Sequence, residues 1–305
     1  MVAGPKRRRR RMMIVSSFKP QLSEDAAKCK EPLTFPKLFS TKLDGIRCVT
    51  IDGQALSRSL KPIPNHYIRE KLAPWQHLDG EIIVGPPNAE DVYRKTNSAV
   101  MSHEGEPDFV YYVFDDLQCV TDPFTSRLIR LKARTLPPFI QILQQFEVCS
   151  QETLDNTYQA VLDQGYEGLI GRNLDSLYKF GRATAKSQDS LKFKPFTDDD
   201  AQILWVYEAQ TNSNEATIDE LGRTHRSSHA INKSGNGMAG GFRVRMDGLE
   251  FDVAPGKLTH EERIIVWENQ EKYVGRWLKF RHCPIGIKTA PRFPRFIGWR
   301  DIIDM

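Results

Sequence analysis

Residues 35–60 read FPKLFSTKLDGIRCVTIDGQALSRSL, and the interpretation of the whole chain starts there. Apolar and β-branched residues flank two Asp-Gly pairs, Asp44-Gly45 and Asp52-Gly53, which are turn signals. The pattern predicts short strands folded back as a hairpin, ended by Pro62 and Pro64. Within it, Lys42-Leu43-Asp44-Gly45-Ile46-Arg47 sets a lysine at a strand end before a tight turn, where its side chain can project into a cleft. A lysine becomes a nucleophile when desolvation or nearby positive charge lowers its pKa. Arg47, Lys192 and Lys194 are the candidates for that charge. Alone, such a hexapeptide recurs by chance as an exposed turn, so its weight depends on what accompanies it.

Further segments follow in order. Ser57-Arg58-Ser59-Leu60-Lys61-Pro62-Ile63 comes next. Leu78-Asp79-Gly80-Glu81 puts a carboxylate near a strand start, and Phe114-Asp115 ends an aromatic strand, FVYYVFDDL, at 109–117. Glu167-Gly168-Leu169-Ile170-Gly171-Arg172 supplies a second carboxylate. Leu191-Lys192-Phe193-Lys194 alternates, so both lysines face one side of a strand. Two such ammonium groups repel each other unless an anion lies between them, and a phosphate would relieve that cost.

Taken together, these segments resemble the covalent nucleotidyltransferase superfamily, and within it the minimal ATP-dependent DNA ligases of viruses and phages. The resemblance runs from about residue 35 to the C-terminus. It implies an α+β fold, with a nucleotidyltransferase domain of antiparallel sheets and helices followed by a small β-barrel, an OB-fold. It implies Lys42 as the nucleophile that accepts AMP, with Asp44 in the same motif. Arg47 and Glu81 would hold the ribose, Phe114 would stack on adenine with Tyr111 and Tyr112 as neighbouring alternatives, and Ser40 would lie near the adenine edge. Lys192 and Lys194 would hold the α-phosphate, Glu167 would help bind the divalent metal, and Arg58 would contact the nick or its 5′-phosphate. Arg292, Arg295 and Arg300, in PRFPRFIGWRDI, are the candidates to orient pyrophosphate. The implied cofactors are ATP and Mg²⁺ (or Mn²⁺). The implied partner is nicked duplex DNA, bound by a monomer. RNA ligases and RNA-capping guanylyltransferases share the lysine motif and stand as alternatives; a non-catalytic nucleic-acid-binding OB protein is the alternative of another class. NAD is disfavoured, because the zinc motif and extra domains of that class are missing.

The expected organisation is a disordered basic arm over 1–13, an adenylation domain over 14–197 and the OB-fold over 198–305. Residues 124–149 and 151–164 are helical by pattern, the second ending near Gly165. Residues 197–200, Thr-Asp-Asp-Asp, look like a linker and a hinge. The polar, Gly/Ser/Asn-rich stretch 209–240 is expected as a long loop, either mobile or clamping DNA.

Charge needs care. The formal value is +4, but Lys6 and Arg7 to Arg11 supply six positive charges, leaving the rest of the chain at −2. Overall charge is therefore no argument for nucleic acid. The segment 272–300 is a different matter: eight Lys and Arg, six interleaved aromatics and no Asp or Glu. It reads as a patch of unopposed charge that attracts phosphates. Five scattered cysteines with no C-x-x-C pair argue against a zinc ribbon and for a reducing compartment. No apolar run suits a membrane span or a signal peptide, so an intracellular protein is expected, with a nuclear address left open by Lys6–Arg11. Gly181–Ser187 imitates a phosphate-binding loop, but Ala185 stands where glycine must precede the lysine.

Overall fold

The computed structural model describes residues 18–283 and 290–300. The arm expected over 1–13, and Lys288 of the basic segment, lie outside the described residues. The chain divides into two compact units, the first running to Lys194 and including Glu220–Gly222, the second made of Pro195–Asp219 and the residues from Arg223 on.

The first unit runs β1 (Glu24–Asp25), β2 (Lys37–Thr41), β3 (Ile46–Ile51), β4 (Gln54–Ser57), α1 (His66–Leu72), β5 (Leu78–Val84) and α2 (Val92–Met101). It continues with β6 (Phe109–Asp116), α3 (Phe124–Lys132), β7 (Ile140–Ile142), β8 (Phe146–Val148), α4 (Gln151–Asp163), β9 (Leu169–Asn173) and β10 (Ser190–Phe193). These strands make two five-stranded sheets, ordered β1-β10-β9-β2-β8 and β4-β3-β5-β6-β7.

The hairpin expected over 35–60 is half right. Asp52 and Gly53, with φ of 50° and 79°, make a tight turn joining β3 to β4, as a two-residue hairpin with both central φ positive requires. Asp44-Gly45 is no hairpin turn. There the chain leaves one sheet and enters the other, because β2 pairs with β8 and β9 while β3 pairs with β4 and β5. Glycine permits the crossing: a Cβ on Gly45 would stand 2.3 Å from the Ile82 carbonyl oxygen.

The helix expected over 124–149 stops at Lys132. Pro137 and Pro138 lack the N–H that would continue it, and the chain turns into β7, parallel to β6, and β8, antiparallel to β2. The helix expected over 151–164 forms at Gln151–Asp163, capped by the Ser150 side chain and followed by Gly165 at φ 86°.

Apolar packing holds each sheet to its helices. Ile68 and Leu72 of α1, Leu128 and Leu131 of α3, and Ile82, Tyr111 and Val113 share one buried cluster. Phe39, Leu169, Leu154 and Val161 make another beneath β2, β9 and α4. A charged tie links the sheets. Asp115, with no exposed surface, accepts from Arg127 Nε at 2.7 Å and from Arg172 Nη1 at 2.7 Å. Removing one partner from such a buried network costs about 3–5 kcal/mol, since the other charge is left uncompensated.

The second unit contains β11 (Thr197–Asn212), β12 (Ala216–Ile218), β13 (Thr224–Arg226), β14 (Lys233–Met246), β15 (Leu249–Val253), α5 (His260–Glu268), β16 (Trp277–Cys283) and β17 (Arg292–Arg300). Five strands form a sheet ordered β15-β14-β11-β16-β17. Its edges meet: Ala254 N–H donates to the Pro294 carbonyl at 3.0 Å and Phe296 N–H to the Ala254 carbonyl at 2.9 Å. Ile203, Phe242, Val244, Leu278 and Phe280 fill the interior. Helix α5 went unread in the sequence, although Thr259 and Glu262 form a capping box at its start.

Three further expectations change here. Residues 197–200 are not a linker: they open β11 and pair with β16. Nor is the basic segment unopposed. Arg281 makes a two-pronged bond to Asp198 at 2.6 and 2.8 Å, Lys279 lies 3.5 Å from the same carboxylate, and Arg300 Nε meets Asp200 at 2.8 Å. The acids supplying this balance sit on an earlier strand, 83 residues before Arg281 and 100 before Arg300. Finally, 209–240 is not a structureless loop, because β11 and β14 extend into it and the β12–β13 hairpin fills its middle. Asn214 closes the base of that hairpin by donating to the carbonyls of Ser227 and His229. No helix among the described residues is long and apolar enough to cross a membrane.

Candidate active site

A cavity of about 290 Å³ opens within the first unit. The strand ends of both sheets supply its lining. Ser40 lies on β2, Lys42 on the crossover, Arg47 on β3 and Arg58 just beyond β4. Glu81 comes from β5, Phe114 from β6, Glu167 from the approach to β9, and Lys192 and Lys194 from β10 and its end. Nine residues singled out in the sequence therefore line one cavity. Asp44 is outside that lining, and Arg292, Arg295 and Arg300 lie on β17 of the second unit.

Lys42 is held at both ends. Its backbone N–H donates to the Gly168 carbonyl at 2.7 Å, and its ammonium group donates to the Glu167 carboxylate. Gly168, at φ 142°, makes this possible, since a Cβ there would stand 2.0 Å from the Phe193 carbonyl oxygen. Side by side on β3 and β5, Arg47 and Glu81 are direct cross-strand partners. Arg47 forks onto the buried Asp79 with bonds of 2.6 and 2.7 Å, and its guanidinium lies 4.5 Å from the Phe114 ring centre. A register shift between β5 and β6 leaves Phe114 without a partner on β5; such bulges re-aim side chains. Tyr111 instead points into the core, where its hydroxyl donates to the Cys48 carbonyl.

The electrostatics are uneven. Burial pushes the Glu81 carboxyl up to about 7, with Arg47 and Lys42 pulling it back and Glu167 and Asp79 adding to the rise. Lys192 falls below the ordinary lysine value because it is partly buried; Asp25 opposes this, while Lys194, Arg182 and Lys42 reinforce it. Seven cationic side chains around one cavity beside two carboxylates make a site suited to a polyphosphate.

Some lining residues escaped the sequence reading. Leu22 and Ser23 belong to a segment with no recognised motif, and Arg172 was read only as the end of the Glu167 motif. Arg182 also lines the cavity, from the stretch set aside as a failed phosphate loop.

The family described as ATP dependent DNA ligase domain matches residues 12–194. The chain belongs to the ATP-dependent DNA ligase family. Residues 233–300 match a second description, DNA ligase OB-like domain, which agrees with the joined five-stranded sheet and with the expected order of domain types. A DNA ligase of Thermococcus fumicolans is 27% identical over 217 residues, covering 62% of this chain but only 38% of that protein. The chain thus spans well under half the length of this curated relative. The solved Chlorella virus DNA ligase-adenylate is 29% identical, with 92% of this chain and 99% of that one covered and a TM-score of 0.50. A structure from work on Lig E DNA ligases, described as binding DNA with a minimal scaffold, has 23% identity, coverage of 92% and 99%, and a TM-score of 0.71. This last likeness speaks for the fold.

Proposed function

We propose that this ligase-family chain seals nicks in duplex DNA, consuming ATP and carrying AMP on Lys42. One observation carries the reading: Lys42 shares a single cavity with Glu167, Glu81, Arg47, Phe114, Lys192 and Lys194. The adenylate form of the Chlorella virus enzyme, alike over most of both chains, supports it.

In the first step the neutral amine of Lys42 attacks the α-phosphorus of ATP. A P–N bond forms and the bond to pyrophosphate breaks. Next, an oxygen of the 5′-phosphate at the nick attacks the same phosphorus, which frees Lys42 and leaves AMP on the DNA. Last, the 3′-hydroxyl attacks the 5′-phosphate, the phosphodiester forms and AMP departs. Negative charge grows on oxygen in every step, so fixed cations supply most of the stabilisation. Lys192 and Lys194 take the α-phosphate oxygens. Arg47 and Glu81 hold the ribose, while Phe114 and Ser40 hold the base. Arg58 takes the 5′-phosphate, and Arg292, Arg295 and Arg300 serve the departing pyrophosphate. The β12–β13 hairpin grips the duplex. The protein works as a monomer inside the cell.

The cavity also suits a divalent ion. Its acidic donors are Glu167 and Glu81, both hard oxygen ligands, and Mg²⁺ usually takes one or two carboxylates with substrate phosphates. Bound there, it would add Lewis-acid stabilisation at the phosphate oxygens.

Incubation with α-labelled ATP and Mg²⁺, acid quenching and gel separation tests the reading. Label should travel with the protein, vanish in Lys42→Ala and transfer to nicked DNA, which is then sealed. GTP and nicked RNA in parallel separate the capping and RNA-ligase alternatives. Label persisting in a folded Lys42→Ala protein would falsify the assignment.

A further inference from the structure

Beside the cavity, a short segment ahead of β1 is bonded into the first unit at several points. Phe18 is buried and stacks on Tyr178, with ring centres 5.9 Å apart. Leu22 N–H donates to the Gly181 carbonyl and Ala183 N–H to the Leu22 carbonyl, each at 2.8 Å. At its centre the backbone of Gln21 closes a ring of hydrogen bonds. Gln21 N–H donates to the Tyr178 hydroxyl oxygen at 3.0 Å, and that hydroxyl donates to Asp79 Oδ2 at 2.6 Å. Asp79 takes both prongs of Arg47, and Arg47 Nη2 returns to the Gln21 carbonyl at 3.3 Å. Arg47 and Asp79 come from recognised motifs; Tyr178 comes from none.

Without a third partner, the Arg47–Asp79 pair could pivot about its own axis, because a carboxylate accepts a guanidinium fork from several directions. The Tyr178 hydroxyl removes that freedom by occupying one side of Oδ2. Its ring cannot move away, being buried with Phe18 and Leu117. The guanidinium is thereby held over Phe114, on the wall of the cavity.

We propose that Tyr178 is a positioning residue of the nucleotide site: acting through Asp79 and the Gln21 backbone, its hydroxyl fixes the Arg47 guanidinium in the orientation that receives ATP. The inference rests on the reading of Arg47 as a nucleotide contact. It assigns no contact between Tyr178 and the nucleotide itself.

Tyr178→Phe removes one oxygen and keeps the stacked ring. Self-adenylation should show a KM for ATP raised about tenfold, the size of one lost hydrogen bond to a charged group, with the rate at saturating ATP changed by less than about threefold. In an Arg47→Ala background the same substitution should have almost no further effect on KM, because the residue it positions is gone. Leu72→Ala controls for plain stability: it opens a cavity in the cluster under α1, which does not include Tyr178, so it should lower Tm while leaving KM unchanged. A KM raised by Arg47→Ala but unmoved by Tyr178→Phe overturns this proposal alone. A KM unmoved by Arg47→Ala overturns the reading of Arg47 and this proposal with it. Equal KM increases in Leu72→Ala and Tyr178→Phe at matched loss of Tm, or additive effects with Arg47→Ala, reduce Tyr178 to a structural part and overturn the proposal.

Discussion

The Lys42 ammonium group is hydrogen-bonded to the Glu167 carboxylate, across 125 positions of sequence. The proposed nucleophile thus rests against the carboxylate proposed to share the divalent ion. Glu167→Gln keeps the shape and removes the charge. Self-adenylation should slow by about ten- to a hundredfold, the loss of one charge-assisted interaction, and more Mg²⁺ should be needed for half-maximal rate. An unchanged Mg²⁺ dependence would leave Glu167 as a partner of Lys42 only.

Glu81 predicts a pH dependence of stability. Its carboxyl is raised from 4.5 to about 7, first by burial. Between those values the folded protein holds a proton that the unfolded chain has released. Stability contributed by this group is therefore present below the window and falls as pH rises through it. The loss is on the order of 1–3 kcal/mol. Glu81→Gln should flatten the ATP-free melting profile across the window; a parallel profile in the variant would place the effect elsewhere.

Gln21 predicts a stabilising substitution. Its side chain is 4% exposed, and neither amide atom has a hydrogen-bond partner among the described residues. Burying an unpaired amide costs about 1–3 kcal/mol. Gln21→Met, similar in shape and without that penalty, should raise stability by roughly 1 kcal/mol or more. A drop in Tm would mean that the amide binds an ordered water or another group.

Neutralising Arg292, Arg295 and Arg300 together should cripple formation of Lys42–AMP while sparing the sealing of a nick that already carries 5′-AMP. Only the first step expels pyrophosphate. Each lost contact to phosphate is worth about 1.5–3 kcal/mol, or roughly ten- to a hundredfold in rate. Arg300 must exchange Asp200 for phosphate, so its share should be the smallest. Equal loss in both assays, at saturating DNA, would assign these arginines to DNA binding or to holding β17.

Replacing 213–231 by a tight turn should weaken binding to nicked duplex more than it slows self-adenylation. The segment carries exposed side chains, Ile218 and Ile231 among them, and belongs to neither main core. Comparable damage to both steps would show that the second unit needs the hairpin to fold.

Local signals were legible wherever chemistry or turn geometry constrains a few adjacent residues. The Lys42 motif, the Asp52-Gly53 turn, the aromatic strand that carries Phe114 and the Lys192–Lys194 alternation could all be read in sequence, and so could the α+β class. Tertiary structure decided whatever depends on distant partners. Asp44-Gly45 looks like a hairpin turn until β2 and β3 are seen to join different sheets. Asp198 and Asp200 look like a linker until they face Arg281 and Arg300, and the same pairs offset part of the positive charge of the last strands. Tyr178, Gln21 and Arg182 carry no motif because each makes a contact more than a hundred residues away, as in the bonds from Gln21 N–H to the Tyr178 hydroxyl and from Arg182 to the Ser23 carbonyl. A turn or an alternation constrains neighbouring positions and so leaves a pattern in the chain. A contact across the cavity constrains only where two remote backbones meet, and that is settled by packing.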